Sequence, residues 1–187
     1  MDWLKRGATV VASRSVDLSA RGPSAVFGKD CNPPESCINC IRASALGAEL
    51  TDEQLHTLRD VVEVHMLSKG ETLISEGECD DHLYAIASGE LEICRASDRG
   101  REISLQRLGP GSLTGELGFL EGLKRTATVR AKQDVCIVSL HRDRLEGLLA
   151  VDPWLAYRIM RAVVRSAHGT VGNLDTAYAD FVRFVSG

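Results

Sequence analysis

Between Val61 and about Leu140 the chain is interrupted by glycine at short intervals: Gly70, Gly77, Gly89, Gly100, Gly109, Gly111, Gly115, Gly118 and Gly122. The runs between them, such as HLYAIASG, ELEICRAS, EISLQRLG, TATVRA and VCIVSL, are of strand length. Turn signals every 8–12 residues, roughly, predict an antiparallel sandwich or barrel. Ser88-Gly89 and Arg99-Gly100 are expected hairpin or corner points. A chain of 187 residues with 44% hydrophobic residues fits one domain with appendages and can bury a core.

Helical signals flank this block. Thr51 and Gln54 form a capping box, and Leu55, Leu58 and Val62 follow as one apolar face. Arg142 to Leu149 is a short amphipathic helix, and Asp152 with Pro153 opens another. There Tyr157, Met160, Val164, Ala167, Val171, Leu174, Tyr178 and Phe181 alternate steps of three and four, the seam of a coiled coil. Such a stripe calls for a second copy, giving a homodimer; the alternative is an ordinary helix packed along its own barrel. Gly169 and Gly172 each weaken the helix by about 1 kcal/mol, which favours that alternative. The expected divisions are 1–47, an N-terminal arm carrying cysteines; 48–150, the β domain with its flanking helices; and 151–187, the long helix.

Charge excludes some functions. The 22 basic residues against 26 acidic ones argue against a dedicated nucleic-acid module, while leaving room for a local basic pocket for a small anion. No apolar run approaches the roughly 18 residues of a membrane span. Nothing near Met1 reads as a signal peptide, so a cytoplasmic location is expected. No Ser-His-Asp order, H-E-x-x-H or Walker loop is visible, so no enzyme is expected.

The chemistry concentrates in Leu108 to Ala131, LGPGSLTGELGFLEGLKRTATVRA. Two strands are bridged by a glycine-rich segment with one helical turn, Glu116 to Leu120. Gly115 and Gly118 are expected to let backbone approach a ligand, and the amides from Gly115 to Leu117 to favour an anion. Arg125 supplies a planar fork that matches phosphate oxygens. Glu116 beside a phosphate would repel it unless it serves another group, such as a ribose hydroxyl. Together they describe a pocket for a ribose phosphate.

At these residues the chain resembles the cyclic nucleotide-binding domain family, including the effector domains of the catabolite activator and fumarate-nitrate reductase regulator superfamily. GELG followed at the right spacing by RTATV is similar to that family's phosphate-binding cassette. The resemblance spans about Leu50 to Phe181. It implies a mainly β fold with flanking helices: an eight-stranded antiparallel β-roll, or jelly roll, with a long C-terminal dimerisation helix. It implies that Glu116 holds the ribose 2′-hydroxyl and Arg125 the cyclic phosphate, in an allosteric sensor of cyclic AMP or cyclic GMP. Thr126 is expected beside the phosphate or the base. His168, on the long helix, is expected near the purine. Bacterial members place cyclic AMP ahead of cyclic GMP. Those transcription regulators continue into a helix-turn-helix domain; with the chain ending at Gly187, DNA binding by this chain alone is not expected.

Cys31, Cys37 and Cys40 supply three thiols within ten residues, C-x5-C-x2-C, enough for most of a zinc or iron–sulfur site. The oxygen-sensing members of the same superfamily carry a cysteine cluster at this place with the spacing reversed. A redox or metal sensor on the same scaffold is therefore the competing expectation. Cys79, Cys94 and Cys136 are expected as buried small hydrophobes, and Asp80-Asp81 as a solvated turn.

Overall fold

A computed structural model describes residues 34–97 and 102–186. The expected turn at Arg99-Gly100, the arm over 1–30 and Cys31 lie outside the described residues. The glycine-cut block forms eight strands: β1 (Val62–Leu67), β2 (Thr72–Ile74), β3 (His82–Ser88), β4 (Leu91–Ala96), β5 (Glu102–Leu108), β6 (Leu113–Thr114), β7 (Thr128–Ala131) and β8 (Val135–His141). They pair antiparallel in two four-stranded sheets, ordered β1-β8-β3-β6 and β2-β7-β4-β5. This is the expected β-roll. Gly89 turns β3 into β4 at φ +87°, and a Cβ there would meet the Asp134 carbonyl oxygen at 2.4 Å, so the corner accepts no side chain.

The VCIVSL run lacks alternation because β8 is covered on both faces. Ile137 and Val135 point between the sheets with Ile86, Leu91 and Val129. Val138 and Leu140 pack instead, with Leu83, against a layer of helices. That layer contains α1 (Pro34–Ala43), α2 (Asp52–Arg59), α4 (Arg142–Val151) and α5 (Pro153–Ser186). Thr51 and Gln54 complete both halves of the capping box, at 3.3 and 3.4 Å. Val62 does not extend α2. The β-branched pair Val61-Val62 leads into β1, where Val62 faces Leu140. In the segment expected as arm, Ile41 and Leu46 are fully buried in the helical layer, so packing onto the roll begins well before residue 48.

Asp152 accepts the Leu155 amide at 2.9 Å and Pro153 takes the first position of α5. At 34 residues the helix is about 51 Å long. Leu155, Ala156, Ile159 and Val163 hold it to the roll. The expected seam is a different face. Tyr157 and Val164 are 53% and 63% exposed, and Met160 lies at the border between the two faces. Val171, Leu174, Tyr178 and Phe181 fall on the helix, with side chains outside the described residues. Among the described residues no helix is long and apolar enough to cross a membrane.

Candidate functional site

A short helix, α3 (Glu116–Glu121), links β6 to β7. Gly115 precedes it at φ +90° and Gly122 ends it at φ +68°, both in the left-handed region that glycine enters without strain. As in any helix, its first amides, at Glu116, Leu117 and Gly118, have no acceptor within it. The far end of α3 is capped by Arg142, the first residue of α4. Its guanidinium donates to the carbonyls of Phe119 at 2.7 Å and Gly118 at 2.9 Å, and to Asp81. A cation there also complements the helix dipole.

Arg125 follows α3 and turns inward beneath it, leaving 4% of its side chain exposed. Its Nη1 donates to the Gly115 carbonyl at 2.6 Å, and its Nη2 to Asp80 Oδ2 at 2.7 Å and to the His82 carbonyl at 2.5 Å. Its Nε is buried and has no acceptor among the described residues. The glycines of the cassette make room for this group. A Cβ at Gly115 would lie 2.5 Å from Arg125 Nη1, and one at Gly118 would lie 2.7 Å from it. Sequence reasoning assigned these two glycines to close approach of a ligand; the neighbour that excludes a side chain is the arginine itself.

Asp80 is one residue that sequence reasoning missed. Far from a solvated turn, it accepts hydrogen bonds from the His82 amide at 3.0 Å and the Tyr84 hydroxyl at 2.8 Å, besides Arg125, and contacts the His82 ring at 2.7 Å. Burial alone would raise its pKa. The hydrogen bond from His82 and the charge and hydrogen bond of Arg125 outweigh that and hold it well below the usual carboxylate range. Burial, with the Asp80 charge beside it, pushes the Tyr84 hydroxyl above its ordinary range. Only the local sequence hid Asp80: its partner lies 45 residues away.

Gly115, Glu116, Leu117, Arg125 and Thr126 come together around one cleft of about 160 Å³, walled by Ile74, Ile93 and Val129 of the second sheet. Glu116 is half-buried, and its Oε1 accepts a hydrogen bond at 2.9 Å from Ser166 on α5. Thr126 is exposed at the rim. His168 is not among the residues lining the cleft. It is exposed on α5 and shares a surface groove with Tyr157, Met160 and Val164. Among the described side chains, Ser166 is one by which α5 reaches the cassette. No spacing rule points to it, because its register against Glu116 is set by how α5 lies on the roll.

Cys37 and Cys40 lie on α1, away from the cleft. Among the described residues no three His, Cys, Asp or Glu side chains are grouped to hold a metal ion. Cys94 and Cys136 are buried as expected; Cys79 is exposed, because it falls in the turn before β3 rather than in a strand.

The β-roll thus brings a glycine-bounded helical turn, a buried arginine and a carboxylate to one cleft. Residues 64–152 match the model of the cyclic nucleotide-binding domain family. The chain is 34% identical over 113 residues to the CRP-like cAMP-activated global transcriptional regulator of Mycobacterium tuberculosis, covering 60% of this chain and 50% of that protein. To the cAMP-activated global transcriptional regulator CRP of Salmonella typhimurium it is 32% identical over 133 residues, 69% of this chain and 63% of the relative. It therefore spans about half to three-fifths of these regulators. The N-terminal domain of a transcriptional regulator from Streptomyces coelicolor superposes with a TM-score of 0.59 at 36% identity, covering 72% of this chain and 94% of that one.

Proposed function

We propose that this chain is the sensing half of a cyclic nucleotide-responsive regulator, binding cyclic AMP in preference to cyclic GMP. The observation that carries the reading is Arg125, a buried cation lining the cassette cleft whose Nε has no acceptor among the described residues. An orphaned buried donor on a permanently charged group favours an anion that can supply the acceptor. The cyclic phosphate would take Arg125 together with the outward amides of α3, and the ribose hydroxyl would take Glu116. Because Glu116 already bonds Ser166, a ribose there changes what the long helix holds at its cassette end. Arg142 ties the same α3 to the start of α4. Occupancy can thus reach α5 by two routes, with coupling of the usual order of about 1–3 kcal/mol.

The exposed seam begun by Tyr157 and Val164 supports a two-fold pair through α5. In such a pair His168 of either copy could lie near the base. Regulation of transcription is supported by the names of the relatives; for the whole protein it is part of this proposal. Calorimetric titration with both nucleotides tests the reading. Arg125→Ala should weaken binding by about 2–4 kcal/mol, the loss of a charge-assisted fork in a desolvated site. Unchanged affinity in that variant, with the fold intact by circular dichroism, would remove the pocket.

A further inference from the structure

Helix α1 and strand β8 meet through sulfur. The Cys136 thiol donates to Cys40 Sγ at 2.9 Å across 96 residues of sequence. That is closer than two unbonded sulfurs ordinarily rest, and the partners sit on rigid elements. Cys136 is buried on the face of β8 that carries Val138 and Leu140 toward the helices. Cys40 is partly buried near the end of α1 and packs against the same layer. Cys40 is the more exposed residue of the two, and Cys136 is the buried one. Cys37, one turn earlier on α1, is the competing partner.

We propose that Cys40 and Cys136 are a reversible dithiol–disulfide pair that reacts with hydroperoxides. The Cys40 thiolate attacks one peroxide oxygen; an S–O bond forms, the O–O bond breaks, and hydroxide leaves to be protonated to water. Cys136 gives up its thiol proton and attacks the Cys40 sulfenic sulfur. The S–S bond forms, the S–O bond breaks, and a second water departs. Two thiols lose two electrons and hydrogen peroxide accepts them. A dithiol reductant reverses the change by exchange. The disulfide fastens α1 to β8, the strand that runs directly into α4 at Arg142. It closes a loop of more than ninety residues, for which cross-linking limits the unfolded chain strongly. The proposal needs no bound nucleotide and stands apart from the cleft.

The test uses the full chain treated with hydrogen peroxide, alkylated, digested without reductant and mapped by mass spectrometry. The expected product joins the Cys40 and Cys136 peptides, two hydrogens lighter than the separate pair, and reverts with dithiothreitol. The unfolding midpoint should rise by roughly 5–15 °C on oxidation. Cys40→Ser, at the partly buried position, should abolish both changes. Since the mapping is done on the unaltered chain, a misfolded variant cannot obscure it. A Cys37–Cys40 link, links only between copies, or no link to Cys136 overturns the proposal.

Discussion

Gly118→Ala separates the two explanations of the cassette glycines. Gly118 has an ordinary backbone angle and lies within α3. Alanine there should help the helix by about 1 kcal/mol if nothing else mattered. The added Cβ would lie 2.7 Å from Arg125 Nη1, 3.0 Å from its Cζ and 3.1 Å from the Asp80 carbonyl oxygen. The arginine is fixed by three hydrogen bonds and cannot swing aside, and the carbonyl belongs to backbone. Overpacking of this kind costs about 1–3 kcal/mol, for a net loss of about 0–2 kcal/mol. Binding should suffer more. Displacing the guanidinium forfeits at least one charge-assisted hydrogen bond, about 1.5–3 kcal/mol or roughly 10- to 150-fold in affinity. Urea unfolding reads the first number and calorimetric titration with cyclic AMP the second. A variant as stable as the parent that binds cyclic AMP equally well would refute the cradle.

The Asp80 carboxyl, depressed below its ordinary 3.8, contributes stability that is fully present above about pH 4 and is lost as pH falls through the folded value. In thermal melts against pH, Asp80→Asn should be less stable at neutrality by about 1–3 kcal/mol and show a flatter acid limb; identical profiles would discard the assignment. Thr126→Ala titrated with both nucleotides distinguishes a guanine reader, which costs cyclic GMP alone, from a phosphate ligand, which costs both. Light scattering at micromolar concentration should return twice 20.3 kDa, and Val164→Glu, on the exposed face of α5, should return the monomer. A dimer unaffected by that change would place the interface elsewhere.

The features legible in the sequence were those whose partners are close along the chain. Both halves of the Thr51–Gln54 box, the Asp152–Pro153 helix start, the strand-length runs and the spacing from Glu116 to Arg125 each fit within one or two turns or strands. What escaped depends on contacts between distant segments. Asp80 reaches Arg125 across 45 residues, Asp81 reaches Arg142 across 61, and Cys40 meets Cys136 across 96. No period or propensity marks such pairs, since each is fixed only when the sheets close. Gly118 is the intermediate case. Its identity was readable as a demand for space, but which group needed the space was not, because Arg125 arrives from beneath the helix.

Both terminal nitrogens of Arg125 already donate to protein acceptors, leaving Nε over among the described residues, and under the nucleotide reading this changes what an affinity means. The phosphate does not simply neutralise a waiting cation; even where it takes the Nε left over, it shares the guanidinium charge with Asp80. The binding constant is then an exchange ratio between two anions for one guanidinium, with the protein's own carboxylate as the internal reference. Any substitution that loosens or tightens the hold of His82 and Tyr84 on Asp80 would reset that reference. Two chains with the same cassette could therefore respond at different nucleotide concentrations, their thresholds set by residues that never touch the ligand.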